Sequence, residues 1–223
     1  PPYVQVRDGA TGAPLFQVSA QTGGSGTTFG LAEFEFNPVL PLLAAAETPP
    51  GGISADQSAP VLLWDVANNR SAGQLAQPIT VINLSFSGDG TKLATDSYEN
   101  GSMNISLWDV GTQTRLSQVN TTPIRHFMGT PLDLSRDGMR AAVGYPDGSF
   151  GMWLFLRESG GQAYNVPLFD GAAGEVVSAV AFSPDDSIVA VAGGVPFSGG
   201  LTGEEQFPIY LLDATTGVTF ARL

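Results

Sequence analysis

Four stretches of the chain repeat one order of segments: an alternating apolar strand, a polar turn, a strand of small residues, then a third strand. This self-similarity restricts the fold more than any single residue does. A unit of this size cannot bury its apolar face alone and must stack against like neighbours. The first turns are Phe36-Asn37-Pro38, Phe86-Ser87-Gly88-Asp89-Gly90, Leu134-Ser135-Arg136-Asp137-Gly138 and Phe182-Ser183-Pro184-Asp185-Asp186. Their leading residues, 36, 86, 134 and 182, stand 50, 48 and 48 residues apart. Asp-Gly and Pro-Asp suit tight hairpins, since Gly tolerates positive φ and Pro presets the first turn dihedral. Each turn therefore joins two antiparallel strands.

The third strand supplies a second ruler. It reads Val61 to Val66, Ile105 to Val110, Phe150 to Phe155 and Ile209 to Ala214, with a further copy, Val4 to Gly9, opening the chain. Taking Arg7, Trp64, Trp108, Trp153 and Leu212 as equivalent, the intervals are 57, 44, 45 and 59 residues. The two long intervals each contain a Gly/Pro/Ser-rich insertion, at 47–60 and 194–208. A short polar turn and a less apolar fourth strand follow each third strand. The unit is thus four strands of antiparallel sheet.

Two Trp-Asp dipeptides, Trp64-Asp65 and Trp108-Asp109, stand in register with the Phe-Ser-x-Asp-Gly turns, and Trp153-Leu154 and Leu212-Asp213 occupy the same place in degenerate form. On these motifs the chain resembles the WD-repeat family of β-propellers over nearly its whole length. The resemblance implies an all-β fold of four full four-stranded blades, at about 28–78, 79–122, 125–168 and 175–223, preceded by an N-terminal half blade at 3–19. All of it forms a single propeller segment. It also implies that Trp64, Asp65, Trp108, Asp109, His126, Asp147, Trp153 and Asp213 are structural signature residues. His126, Asp147 and Trp153 would form one partial copy of the family's hydrogen-bonded network, with Gly144 where a Ser or Thr usually stands. The Gly-His dipeptide of the family is absent. Because a closed propeller pairs every strand edge, the half blade leads us to expect an open segment of a larger propeller, completed by more of the same polypeptide or by another chain.

Composition removes most chemistries. With no Cys and a single His among 223 residues, a thiol nucleophile, a zinc-thiolate site and a multi-histidine metal site within this chain are excluded. Neither a nucleophile elbow, a phosphate-binding loop nor a dinucleotide fingerprint occurs, so no catalysis, cofactor or metal is expected. Acidic loops could attract calcium, but the spacing of a regular calcium loop is missing. The formal charge is −12, and Lys92 is the single lysine, which disfavours nucleic acid and anionic membrane surfaces as partners. No apolar run is long enough for a membrane span. A low charge fraction, much Gly, Ser and Thr and no Cys point to an extracytoplasmic bacterial setting, whereas the WD-repeat resemblance points to a cytoplasmic one, and the location stays open.

Antiparallel connectivity sorts every loop to one end of the sheet stack. Both insertions share an end, together with many acids, so that end is expected to dock a protein partner, a basic peptide or a cationic surface. The candidate contacts are Glu47, Asp56, Asp96, Glu99, Glu204 and Glu205, with Phe197 and Leu201 as apolar anchors. The alternative is that acidic loops only keep the protein soluble. A second group of candidates lies on the innermost strands, where Glu33 and Glu35 share a face opposite Phe34 and Phe36. Asn83 and Ser85, Pro131 and Asp133, and Ala179 and Ala181 fill the corresponding sites in the other units. Carboxylates between blades are costly unless water, a cation or a hydrogen-bond donor meets them. Either a wet channel or a partner is therefore expected at Glu33, Glu35 and Asp133. The leading function is a non-catalytic interaction platform, and the alternative is a small-molecule or carbohydrate-binding, or hydrolytic, propeller that uses these carboxylates.

Overall fold

A computed structural model describes residues 3–19, 30–48, 59–76, 81–99, 102–120, 131–145, 148–154, 161–168, 176–194 and 208–223. Every regular element among them is a strand. The first sheet pairs β1 (Tyr3–Arg7) with β2 (Pro14–Ser19). Four sheets of four strands follow, each a meander in chain order. Blade 1 contains β3 (Gly30–Phe36), β4 (Leu42–Thr48), β5 (Val61–Asp65) and β6 (Arg70–Leu75). Blade 2 contains β7 (Val81–Phe86), β8 (Lys92–Glu99), β9 (Ser102–Asp109) and β10 (Thr114–Asn120). Blade 3 contains β11 (Leu132–Leu134), β12 (Arg140–Gly144), β13 (Ser149–Leu154) and β14 (Gly161–Pro167). Blade 4 contains β15 (Val176–Phe182), β16 (Ile188–Gly194), β17 (Ile209–Asp213) and β18 (Thr219–Arg222).

The repeated Ser-x-Asp turn has a mechanical reason. Ser87 donates its hydroxyl to Asp89 at 2.6 Å, Ser135 to Asp137 at 2.7 Å and Ser183 to Asp185 at 2.6 Å. The same hydroxyls accept the N–H of Lys92, Arg140 and Ile188, the first residue of each following strand. The turn is closed from inside by its own side chains, as Ser and Asp commonly do where the backbone cannot.

The core lies between sheets. Leu84 and Phe86 of blade 2 pack on Ala44, Ala46, Val61, Leu63 and Leu75 of blade 1. Blade 3 sets Leu134, Ala141 and Val143 on Ala94, Ile105, Leu107 and Val119 of blade 2. Phe150 and Met152 of blade 3 meet Val177, Val189, Val191 and Leu212 of blade 4. Small residues on the second strands of blades 1 to 3, Ala44 and Ala46, Ala94 and Ala142, are fully buried in these interfaces with the next blade. Val6 and Val18 of the two-stranded sheet pack on Leu43 in the same way.

One boundary drawn from the sequence moves. Strand β4 runs to Thr48, with Glu47 opposite Leu31, so Glu47 belongs to the sheet and not to the first insertion. A run of polar and Pro residues after an Ala-rich strand hides where pairing stops.

Candidate functional site

The innermost strands carry the titratable groups that the sequence singled out. In each blade the first strand has one edge unpaired within its own sheet, and in blades 2 to 4 an N–H of that strand meets a side chain of the preceding blade. Glu35 accepts the N–H of Phe86 at 2.8 Å through Oε2. Asp133 accepts the N–H of Phe182 at 2.6 Å through Oδ2. Its Oδ1 takes the Ser85 hydroxyl at 3.1 Å and the N–H of Leu134 at 3.0 Å. Ser85 Oγ in turn accepts the N–H of Leu134 at 3.0 Å. The three equivalent positions, Glu35, Ser85 and Asp133, thus each accept the N–H of the equivalent residue one blade on. Glu35 and Asp133 are thus paired directly with donors of the next sheet, whereas Glu33 makes no such bond among the described residues.

Burial pushes the Glu35 carboxyl up to about 7, against the opposing pull of the Phe86 N–H and with the negative charges of Asp133 and Glu33 adding to the rise. Burial also raises Asp133, while its three hydrogen bonds hold it back. Glu33 is half-buried and, among the described residues, accepts the N–H of Phe34 at 3.3 Å. Beside these groups lies a depression of about 310 Å³ whose walls include Glu35, Phe86, Asp133, Phe182, Arg136 and Asp186.

A second seam runs along the first turns. Asn37 Nδ2 donates to the carbonyl of Gly90 at 2.8 Å, Lys92 Nζ to that of Asp137 at 3.0 Å, and Arg140 Nη2 to that of Asp186 at 3.0 Å. Arg140 also stands over the Phe182 ring at 5.5 Å. Three side chains on successive blades therefore reach the next blade's turn.

Where they are described, the signature residues bond within their own blades. Asp65, Asp109 and Asp213 accept N–H groups of the following turn, from Asn68 at 3.1 Å, Thr112 at 2.8 Å and Thr216 at 2.7 Å. Asp8 does the same for Thr11 at 2.7 Å. Side-chain hydrogen bonds from Thr11 to Asp8 and from Asn68 to Asp65, and backbone and side-chain bonds from Thr112 to Asp109 and from Thr216 to Asp213, hold all four carboxyls below the usual carboxylate range. Trp108 is buried and donates its indole N–H to Thr95 at 3.1 Å, whereas Trp64 is half-buried and reaches Asn69 at 3.3 Å. Sequence reading missed the Thr95 bond, although a Thr thirteen residues before a Trp-Asp was the available signal. The register also moves the equivalent of Thr95 in blade 3 from Gly144 to Val143, because Trp153 pairs with Ala141 as Trp108 pairs with Leu93. His126 and Asp147 lie outside the described residues, and of Trp153 the backbone alone is described.

The acidic docking candidates divide sharply. Glu47 and Asp96 are buried, at 1% and 0% exposure. Asp96 accepts the backbone N–H of Asn83 at 2.6 Å and its side-chain amide at 3.1 Å. Both residues are buried on the second strand of their blade, which takes them off an exposed docking face. Glu99 ends β8, with its backbone alone described. Asp56, Phe197, Leu201, Glu204 and Glu205 lie outside the described residues. No cluster of three or more metal-ligating groups occurs among the described residues, nor any helix long and apolar enough to cross a membrane.

No protein-family model matches the sequence, and no curated protein matches it at a significant level. Solved structures match it in shape. The Myceliophteria thermophila Cps50 (Swd1) beta-propeller domain is 15% identical over 86% of this chain and 56% of that one, with a TM-score of 0.62. A chain of the Mitotic Checkpoint Complex is 18% identical over 99% of this chain and 60% of that one, with a TM-score of 0.68. A chain of Kuenenia stuttgartiensis Hydrazine Synthase is 14% identical over 86% of this chain and 48% of that one, with a TM-score of 0.61. At such identities the likeness is one of fold, and the chain spans about half to three-fifths of the length of these structures.

Proposed function

We propose that this chain, an open arc of a WD-repeat-like β-propeller, is a non-catalytic platform on which proteins assemble. The observation that carries this reading is the use made of the inner-strand acids. Glu35 and Asp133 spend their oxygens on backbone N–H groups of the next blade, so the best-placed carboxylates in the fold serve stiffness. A stiff frame with long loops at one end is what a docking surface needs. The two neighbours from the Cps50 (Swd1) domain and the Mitotic Checkpoint Complex agree with such a role by analogy of fold alone. The docking face in this reading is the insertion-bearing end, with Asp56, Glu99, Glu204 and Glu205 meeting a basic peptide or cationic surface and Phe197 and Leu201 anchoring it. Glu47 and Asp96 act there as supports within the sheet.

The test is purification of the protein from its source, followed by a salt titration of whatever remains bound. A stoichiometric protein partner is expected, released as salt rises from about 0.05 to about 0.5 M, and released at low salt by the double change Glu204→Lys and Glu205→Lys. A protein that carries no partner, or a partner held equally in both proteins and at both salt levels, overturns the reading.

One feature favours a hydrolytic or small-ligand alternative: Glu35, pushed by burial up to about 7, lines a depression of about 310 Å³. Acid/base cleavage of a sugar needs two carboxylates free to face one bond. If Glu35→Gln abolishes turnover of a glycoside while leaving the thermal midpoint in place, this alternative replaces the platform.

A further inference from the structure

Arg136 is the middle residue of the third Ser-x-Asp turn, and its backbone is held from both sides. Its carbonyl accepts the N–H of Asp89 in blade 2 at 3.1 Å, and its N–H donates to both oxygens of Asp186 in blade 4, at 2.9 and 3.1 Å. Asp186 does this from a φ of 60°, a left-handed conformation that blades 2 and 3 give to Gly90 and Gly138. The side chain of Arg136 lies across Gly88, where a β-carbon would stand 2.9 Å from its Cγ. Gly88 has no positive φ, so room for Arg136, and not the turn itself, requires a glycine there. Placed in this way, the guanidinium meets no acceptor, carboxylate or ring among the described residues. The other described cations are engaged. Arg7, Lys92 and Arg140 donate to carbonyls, Arg70 pairs with Asp65, and Arg115 and Arg222 stand over the rings of Trp108 and Tyr210.

Arg136 stands on the wall of the depression of about 310 Å³ at the first-turn end, with Phe86, Phe182 and Pro184 as apolar neighbours and Glu35, Asp133 and Asp186 as acids. Each acid already holds a donor of the protein. Glu35 takes the N–H of Phe86, Asp133 takes three donors that include the N–H of Phe182, and Asp186 takes the N–H of Arg136. The group left to be met is the cation. We propose that the depression binds a small monocarboxylic acid with an apolar ring, its carboxylate paired with the Arg136 guanidinium and its ring against Phe182 and Pro184. The planar fork of guanidinium N–H donors matches a carboxylate with two parallel bonds. One negative charge is the limit, because Glu35, Asp133 and Asp186 on the same walls repel a dianion such as a phosphate monoester. The volume lies at the small end of ordinary ligand pockets and admits a body of about one ring. All of these residues belong to the four complete blades. The proposal gives a ligand class to the small-ligand reading of this depression, on which it rests, and needs neither the platform nor its insertion-bearing end.

The probe is 3-phenylpropionate, titrated into the full chain at about pH 7.5 and about 0.05 M salt while the Arg136 Nε–H and the backbone amides are followed by NMR. Saturable shifts of the Arg136 Nε–H and the Gly88 amide are expected, with a midpoint of about 1 mM. The neutral amide of the same acid, and phenyl phosphate as the dianion, are each expected to bind at least about tenfold more weakly. Arg136→Gln is expected to weaken binding at least about tenfold, and Arg136→Lys, which keeps the charge without the fork, by about threefold. Arg136 is exposed, so both variants are expected to keep the parent's Phe86 and Phe182 amide positions. If Arg136→Gln does not fold, the comparison of acid and amide in the parent decides. No saturable shift, equal affinity for the acid and its amide, or unchanged affinity in a folded Arg136→Gln overturns the proposal. A short peptide ending in Phe carries the same groups, and if its free carboxylate gives it at least about tenfold tighter binding than 3-phenylpropionate, the site belongs to a partner chain and the small acid is overturned. Glycoside turnover that is lost in Glu35→Gln, in a chain that does not bind 3-phenylpropionate, keeps the small-ligand reading and overturns this ligand class alone.

Discussion

Asp133 ties two blades together with one side chain, and its loss shows how much a buried acceptor contributes. Removing it leaves the N–H of Phe182 and the hydroxyl of Ser85 to find new partners at a half-buried seam. Asp133→Ala is expected to cost about 2–3 kcal/mol in urea unfolding, and Asp133→Asn, which keeps one acceptor oxygen, about 1 kcal/mol. Equal losses in the two variants would mean that charge, not the acceptor, matters there. Glu35 holds the equivalent bond between blades 1 and 2. Its folded-state value, about 7, lies above the ordinary 4.5, so between those values the folded chain binds the proton more tightly than the unfolded one. Stability therefore falls as pH rises from about 4.5 to about 7 and stays at the lower level beyond. Glu35→Gln, which keeps a carbonyl oxygen for the Phe86 N–H, is expected to match the parent at pH 5 and to unfold at a higher temperature than the parent at pH 8. A parent-like slope in the variant would assign the pH dependence elsewhere.

At the scale of elements, the turn seam explains why glycine sits where it does. Gly90 has φ of 71°, a conformation that costs a side-chain-bearing residue about 1 kcal/mol, and a β-carbon there would strike the Asn37 amide. Asn37 reaches that spot to bond the Gly90 carbonyl and to cap the N–H groups of Val39 and Leu40. Gly90→Ala is expected to destabilise by about 1–3 kcal/mol, and adding Asn37→Ala should cost clearly less in that background than in the parent. Strict additivity would show that strain at φ alone matters. The strands and turns were legible in the sequence because period-two alternation and Ser-x-Asp-Gly recur at one spacing. The seams were harder to see. Glu35, Ser85, Asp133 and Ala181 line up in the repeat as four unlike residues, and only the bonds reveal that three of them share the role of acceptor. Asn37, Lys92 and Arg140 differ even more, since a neutral amide, an amine and a guanidinium perform one task on partners 45 to 53 residues away. Burial of Glu47 and Asp96 was equally hidden, because an acid near a polar stretch reads as a loop acid until the pairing of its strand is known.

Across the molecule, both seams run from blade 1 to blade 4 and end there. Blade 4 has Ala181 in place of the acceptor and Ile188 in place of Lys92 or Arg140, and Ile209, Phe220 and Leu223 are 39%, 56% and 75% exposed. Blade 4 therefore lacks the side chains with which blades 1 to 3 reach the blade that follows them. Electrostatics acts on the arc as a whole. The charge of −12 at pH 7 makes the folded chain repel itself, and that repulsion weakens as acids take up protons. Glu35 adds a loss of stability as pH rises between 4.5 and about 7. The turn acids act in the opposite direction at lower pH. Hydrogen bonds from Ser183 and Ser187 lower Asp185 from 3.8 to about 2, and Asp8, Asp65, Asp109 and Asp213 are lowered by their own turns. Each contributes stability that is present above 3.8 and is lost as pH falls through the folded-state value. These opposed slopes place the maximum of stability between about pH 4 and 5. Thermal unfolding from pH 2 to 9 is expected to show that maximum, and about 0.5 M salt should flatten the alkaline limb only in part, since screening removes the long-range repulsion but not the desolvation of Glu35. A maximum near pH 7 to 8 would mean that Glu35 ionises freely in the folded chain, and the seam between the first two blades would then have to be held by the apolar contacts of Leu84 and Phe86 instead.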